Sequence, residues 1–200
     1  YERCLRGIEL LKERQLPLKL KTVAVTTNKH EVLEMKRFAE EELGVEFKND
    51  SLINARIDCS DSPLAVRLKP EEAVELDLAD PERISAWHKL AADLQNPIVW
   101  GDDVYHCGGG LTSFAIDPQG KMSICVLSHG DVYDLRRGSV AEGWENFLSK
   151  VRFKKATRPS KCQTCQIRAS CGMCPANGEL ENGDAESPVD FLCEVTHLRT

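Results

Sequence analysis

Cysteine is the residue type whose number and spacing most clearly predict chemistry in this sequence. The chain has nine cysteines in 200 residues, and seven of them follow residue 106. Cys107 and Cys125 bracket a segment that contains Gly120, in the pattern C-x12-G-x4-C. Clustered cysteines form disulfides, bind zinc or hold iron–sulfur clusters. The other five late cysteines form the pattern C-x2-C-x5-C-x2-C followed by one final residue: Cys162, Cys165, Cys171, Cys174 and Cys193.

Three uses of these thiols compete. Disulfides need an oxidising compartment, nothing in the sequence indicates export, and an odd number of cysteines leaves one thiol unpaired. Zinc would need only the two C-x2-C pairs, which close a tetrahedral site, and would leave Cys107, Cys125 and Cys193 without a role. Iron–sulfur ligation accounts for all seven, because a cubane takes four thiolates from scattered loops and neighbouring glycines let backbone N–H groups approach the sulfurs. The residue types therefore favour iron–sulfur clusters.

The complete pattern resembles the SPASM domain of radical S-adenosylmethionine enzymes. That family carries C-x(9–15)-G-x4-C, then C-x2-C-x5-C-x3-C and a final cysteine, and every element occurs here in order. The one departure is a spacing of x2 rather than x3 between Cys171 and Cys174. The resemblance implies two auxiliary [4Fe–4S] clusters, the one nearer the barrel held by Cys107, Cys125 and Cys174. The farther cluster would have four ligands: Cys162, Cys165, Cys171 and Cys193.

The nearer cluster is one ligand short on this assignment. His106, Asp103 or Cys59 could supply the fourth ligand, or one iron could stay open and hold substrate, as the resemblance implies. Each residue also has an ordinary alternative, Cys59 as a small core residue and His106 as a hydrogen-bonded loop residue. We expect Cys4 to pack on a helix face and Asp190 to be a solvated loop carboxylate.

What the resemblance implies about activity depends on a motif that this sequence lacks. Radical S-adenosylmethionine enzymes bind their catalytic cluster through C-x3-C-x2-C, and no such triplet occurs here. We therefore expect the chain to be inactive alone and to be the C-terminal part of a longer enzyme, whose third [4Fe–4S] cluster and S-adenosylmethionine bind upstream. No catalytic residue is identified.

The resemblance also implies partners. It predicts a maturase that modifies a peptide or protein by radical chemistry, with a reductant such as flavodoxin or ferredoxin. The alternatives are a non-catalytic zinc-binding interaction module and a free-standing iron–sulfur electron carrier.

The first sixty residues alternate between predicted helices and strands. The opening segment has helical periodicity, and Asn28 with Glu31 forms a capping box before a second helix that ends at Gly44. This alternation is typical of the α/β class with a parallel sheet. The resemblance implies more narrowly the second half of a partial (β/α)6 TIM-like barrel, completed by sequence before Tyr1 or by another chain. Strands are predicted at residues 18–26, 45–47 and 52–57.

The later sequence predicts short helices and a β-hairpin around the cysteines. Helices are predicted to begin at Pro70 and Pro81, and another follows Ser139 and covers residues 140–151. A turn at residues 117–120 joins two predicted strands, 112–116 and 121–126. The resemblance implies an irregular α+β SPASM domain for this part. The predicted domains meet near residues 96–104 and comprise three ranges: a partial barrel at 1–59, a helical linker at 60–99 and the SPASM domain at 100–200.

Composition narrows the possible partners further. The chain has 26 basic and 32 acidic side chains and a net charge of −6, with no basic stripe, so we expect no nucleic-acid partner. No apolar run approaches the roughly 20 residues that span a bilayer, so no membrane partner is expected. Because clusters of the implied type are oxygen-labile, the resemblance predicts a reducing cytoplasm.

Overall fold

The computed structural model describes residues 1–93 and 101–200. These residues form two compact units, one of residues 1–53 with 66–68 and one of residues 54–65 with 69–200. Helices and strands alternate in the first unit and mix in the second, so the predicted α/β class is confirmed. The predicted boundary near residues 96–104 falls largely outside the described residues, and the three predicted domain ranges stay predictions.

The first unit is built on one pair of parallel strands. The two strands, β1 and β2, run in register with Leu20 opposite Phe47 and Val23 opposite Asp50. Parallel pairing through a helical connection was the prediction from the alternation of elements, and it is confirmed. The elements in order are α1 Glu2–Glu13, β1 Leu20–Val23, α2 Val32–Arg37 continued by a π-helix Phe38–Glu42, and β2 Phe47–Asp50.

The prediction that Asn28 caps the second helix is wrong. That helix begins only at Val32. The Asn28 side chain instead accepts a hydrogen bond from the N–H of Val25 at 2.8 Å and donates one to the carbonyl of Val23 at 3.0 Å. Asparagine closes turns by bonding nearby backbone in this way, and here the strand end is nearer than the helix start. Gly44 does end the helical segment, at a φ of 64°.

The strand predicted at residues 52–57 is also wrong, and the one predicted at 45–47 begins later, at Phe47. The carboxylate of Asp50 accepts the N–H of Leu52 at 2.9 Å, which turns the chain away from the ladder. The Arg67 guanidinium then donates to the carbonyl of Ile53 at 3.3 Å. Side chains therefore take backbone groups that a strand would need for pairing.

The second unit contains the predicted hairpin within a small antiparallel sheet of order β3-β4-β5. Gly120 takes a φ of 74° and donates its N–H to the carbonyl of Asp117 at 3.0 Å, so the predicted turn is confirmed. The elements are α3 Pro70–Leu78, α4 Pro81–Asp93, β3 Ala115–Ile116, β4 Lys121–Ser123, β5 Tyr133–Asp134, α5 Val140–Glu142, a π-helix Gly143–Leu148, α6 Ser149–Arg152, α7 Pro175–Asn182 and α8 Asp190–Leu198.

A hydrophobic core ties the hairpin to the helix that follows it. Ser139 begins this helix as predicted, since its Oγ accepts the N–H of Glu142 at 3.2 Å. The apolar face then turns toward β4, and the buried side chains of the two elements pack together with the start of the cysteine-rich segment. The core consists of Tyr105, Met122, Ile124, Leu148 and Val151.

A second contact fixes the last helix. Helix α8 packs against α3, and the buried Asp77 of α3 accepts a hydrogen bond from Arg199 Nε at 2.8 Å. Arg83 pairs with the same carboxylate at 2.7 Å, and the Arg199 guanidinium lies 4.6 Å from the ring centroid of Trp87. This cluster holds α8, and with it Cys193, against the helices that precede the cysteine-rich segment.

Candidate metal centre

A cavity of about 490 Å³ lies in the second unit among the late cysteines. Its wall is formed by the segment after residue 100, by the loops that precede α7 and by one face of α8. Cys125 is not among the described residues that line it. Six of the seven predicted ligands do line it: Cys107, Cys162, Cys165, Cys171, Cys174 and Cys193.

Cys174 lies close to two cysteines that are far away in sequence. Burial raises the pKa of the Cys174 thiol, backbone N–H groups of α7 lower it, and the nearby thiols of Cys125 and Cys107 raise it again. Such repulsion acts only between neighbouring groups. Cys174 is the N-cap residue of α7 and directly precedes Pro175.

The thiol of Cys193 interacts with the thiols of three other late cysteines. Burial raises the pKa of its thiol, Lys161 lowers it, and the thiols of Cys171, Cys162 and Cys165 raise it. Cys162 sits in a single 3₁₀ turn, Lys161–Gln163, where its N–H donates to Ser160 Oγ at 3.3 Å. The electrostatic interactions of two thiols thus involve different partners, Cys107 and Cys125 for Cys174, and Cys162, Cys165 and Cys171 for Cys193.

All nine cysteines are free thiols, so none is used in a disulfide. Across residues 1–93 and 101–200, no three histidine, cysteine, aspartate or glutamate side chains converge into a group that could hold a single metal ion. Six of the seven late thiols instead line the cavity wall. Thiolates suit soft metals and iron–sulfur clusters, and a cubane spreads its four thiolate ligands over four iron atoms.

The glycines beside Cys107 leave room for its sulfur. A Cβ placed on Gly109 would lie 2.9 Å from the carbonyl oxygen of Ile124 and 3.4 Å from Cys107 Sγ. Gly110 has a φ of 72°, which residues with a side chain rarely adopt. A Cβ at this position would lie 3.2 Å from the Cβ of Arg152. A side chain at either position would displace the backbone that carries Cys107.

Basic side chains surround the thiols. Lys161, Arg158 and Arg168 all line the cavity, and each also has a polar partner. Lys161 pairs with Asp190 at 3.2 Å, and Arg158 pairs with Asp184. Carboxylates of Asp102, Asp103 and Glu186 also line the cavity, and the effect on the thiols is specific to Lys161, which lowers the pKa of Cys193.

Two side chains of α8 lie near the sulfurs of predicted ligands. Thr196 is buried, and its Oγ1 lies 3.5 Å from Cys171 Sγ and 2.8 Å from the carbonyl oxygen of Leu192. The ring Nδ1 of His197 lies 2.8 Å from the carbonyl oxygen of Cys193 and 3.8 Å from its Sγ. Groups that donate hydrogen bonds to ligand sulfurs tune the potential of a cluster.

The residues named as possible fourth ligands lie in different surroundings. Asp103 and His106 line the cavity, but Asp103 pairs with Lys155 at 2.8 Å, and His106 Nε2 lies 2.9 Å from Arg168 Nη2. Burial lowers the pKa of His106, and Arg168 lowers it further, which favours a neutral ring that accepts the guanidinium N–H. Cys59 is exposed and does not line the cavity, and its sulfur contacts the ring of His129.

Several residues of the site were missed in the sequence. Thr196 follows Cys193 by three positions on the same helix, a spacing that places two side chains on one face and could have identified it. Arg168 lies between two predicted ligands, so its charge was also visible. The pairing of His129 with Cys59 had no local signal, because 70 positions separate the two residues.

Comparison with known proteins adds no assignment. The chain matches no model of a known protein family, and no curated protein matches it. Among the described residues, no helix has the length and apolar character needed to cross a membrane. Any function must therefore be argued from the site.

Proposed function

We propose that this chain holds two [4Fe–4S] clusters, as the C-terminal portion of a radical S-adenosylmethionine maturase of the SPASM type. The first unit would belong to a partial barrel completed by other sequence, and the second would carry the clusters. The substrate would be a peptide or a protein, modified by radical chemistry started elsewhere in the enzyme, with electrons from a small reductant such as flavodoxin or ferredoxin.

The observation that carries this proposal is that Cys174 and Cys193 interact electrostatically with different thiols, Cys107 and Cys125 in the first case and Cys162, Cys165 and Cys171 in the second. Cys174 is a neighbour of Cys107 and Cys125, although Cys171 is much nearer in sequence. A single zinc site built from the two C-x2-C pairs would need Cys174 together with Cys171, whereas two clusters need this division.

Each predicted ligand set has the chemistry that its cluster needs. Cys162, Cys165, Cys171 and Cys193 would hold one cluster completely. Cys107, Cys125 and Cys174 would hold three irons of the other. When bound, such clusters supply one-electron transfer and an iron that accepts a ligand. Lys161 would stabilise the thiolate form of Cys193, and the Thr196 hydroxyl would lie beside the sulfur of Cys171.

The test is anaerobic reconstitution with iron and sulfide, followed by metal analysis. The proposal predicts a brown protein with about eight irons and about eight inorganic sulfides per chain. A colourless protein that takes up one zinc and no sulfide would contradict it. About four irons per chain would also contradict it, since one group of thiols would then have no cluster.

A further inference from the structure

Cys59 and His129 form a pair in the second unit that the proposed clusters do not use. Cys59 Sγ lies 3.4 Å from His129 Nε2. The two residues come from separate loops, one before α3 and one between β4 and β5. The thiol is exposed, so a reagent can reach it from solvent. A thiol beside an imidazole nitrogen is the arrangement that activates a cysteine nucleophile.

The orientation of the ring suits a base. His129 Nδ1 lies 3.4 Å from the carbonyl oxygen of Leu127. A carbonyl oxygen only accepts, so a hydrogen bond at this contact requires the ring proton on Nδ1, and in that tautomer Nε2 can accept the thiol proton. The carbonyl therefore orients the base, and the base faces the nucleophile.

The backbone fixes the nucleophile on its loop. Cys59 has a φ of 62°, a conformation that residues with a side chain seldom adopt. Its N–H donates to the carbonyl of Arg56 at 2.8 Å, and the carbonyl oxygen of Glu179 lies 3.9 Å from its Sγ. His129 and Glu179 thus both contact the thiol, and the residue is exposed to solvent.

We propose that Cys59 is a nucleophile activated by His129 and that its electrophile is a low-molecular-weight disulfide. Thiol–disulfide exchange asks for a thiolate and open access to sulfur, which this pair provides. In the exchange, Nε2 accepts the proton of Cys59, and Sγ attacks one sulfur of the disulfide. The Sγ–S bond forms as the S–S bond breaks, and the released thiolate takes the proton back from the imidazolium. The products are a mixed disulfide on Cys59 and one free thiol.

The test uses the full chain and hydroxyethyl disulfide, a small neutral probe, with modification followed at each cysteine by mass spectrometry. Cys4, an exposed thiol of α1, is the internal reference. Cys59 is expected to react at least about fivefold faster than Cys4 at about pH 7.5, where an unassisted thiol is still mostly protonated and an imidazole is mostly neutral. His129→Gln should bring Cys59 down to the rate of Cys4, and the exposed control His30→Gln should leave the ratio unchanged.

Two results would overturn this inference. Equal rates at Cys59 and Cys4 in the unmodified chain would show that no activation exists, and this comparison needs no variant. If Cys59 reacts faster than Cys4 and His129→Gln leaves that rate unchanged, the histidine has no part in the mechanism. The inference is independent of the proposed clusters. Repeating the labelling after reconstitution separates the two, because protection of Cys59 by iron would make it a ligand and end its role as a free nucleophile.

Discussion

Cys193 is the single residue that best separates a two-cluster site from a zinc site. It follows the C-x2-C pairs at a distance, on a helix of its own, and its thiol is a neighbour of Cys162, Cys165 and Cys171. A zinc site built from the two pairs would have no use for it.

Replacement of Cys193 should therefore speed the loss of iron. Cys193→Ala leaves one cluster with three thiolate ligands in place of four, so we expect this cluster to lose its iron to a chelator faster than in the unmodified chain. Cys4→Ala, at an exposed thiol outside both predicted ligand sets, is the matched control and should lose iron at the unmodified rate. Iron analysis and the visible absorbance measure both. An unchanged rate of iron loss in Cys193→Ala would remove this residue from the ligand set.

The spacing of the cysteines was readable from the sequence, and their surroundings were only partly so. The spacing predicted the seven cysteine ligands, and the family resemblance predicted their assignment to two clusters. It could not give the Arg168 contact that occupies His106, because that contact joins two loops in space. Nor could it pair Cys59 with His129, which no periodicity links.

At the scale of elements, α8 is held by one buried carboxylate. Asp77 on α3 pairs with Arg83 and with Arg199, at the C-terminal end of α8. Cys193 lies in α8, and Arg199 directly follows this helix. The contact of Arg199 with Asp77 therefore also helps to fix the position of Cys193.

Loss of that carboxylate should loosen the helix pair. Asp77→Asn leaves two arginines without their buried partner, and removal of one member of a buried pair costs about 3 kcal/mol of unfolding free energy. Urea denaturation measures the change. The surface pair Lys154–Asp131 offers a control, because Asp131→Asn at an exposed pair should change stability by less than about 1 kcal/mol. Equal effects of the two variants would contradict the role given to Asp77.

The hairpin has an acid-sensitive contact of its own. The Arg136 guanidinium donates to the Asp134 carboxylate at 2.8 Å and Lys121 donates at 2.7 Å, and together they hold the pKa of Asp134 far below its ordinary value. A carboxyl whose pKa is lowered on folding stabilises the protein above its unfolded pKa, about 3.9, and loses that contribution as the pH falls.

The consequence is a variant whose defect depends on pH. Asp134→Asn should melt at a lower temperature than the unmodified chain at pH 6, because the carboxylate is then charged and paired. At about pH 2 the gap should narrow, since protonation begins to remove the same contribution from the unmodified chain. Thermal melts at the two pH values test this. A gap that stays constant, or widens in acid, would show that the ion pairs contribute nothing.

Elements were predictable where capping and turn chemistry decided them. Ser139 and Gly120 take the roles that their residue types predict, as a helix cap and as a glycine of positive φ. Asn28 failed because asparagine can bond either of two backbone neighbours, and only the folded loop decides which one is nearer. The strand predicted at residues 52–57 failed for a similar reason, because the Asp50 carboxylate accepts the N–H of Leu52.

At the scale of the whole molecule, the two units differ in how they are built. The first rests on a pair of parallel strands, and Val23 on β1 is 43% exposed. The second has a core in which Met122 and Leu148 are fully buried. A two-stranded sheet is only marginally stable without further cover.

Hydrogen exchange should separate the units. Backbone amides of β1 and β2 should exchange on the order of tenfold faster than those of β4, because local opening exposes less apolar surface in the first unit. Mass spectrometry of peptides from the exchanging chain measures both in one experiment, with α1 as a helical reference in the first unit. Slower exchange in β1 and β2 than in β4 would contradict this difference.

The most direct test of the account is a crystal of the reconstituted chain measured at the iron absorption edge. Anomalous scattering should give two separate iron peaks, one beside Cys107, Cys125 and Cys174 and one among Cys162, Cys165, Cys171 and Cys193. A single peak, a zinc signal between the two C-x2-C pairs, or disulfide bonds among these sulfurs would contradict it.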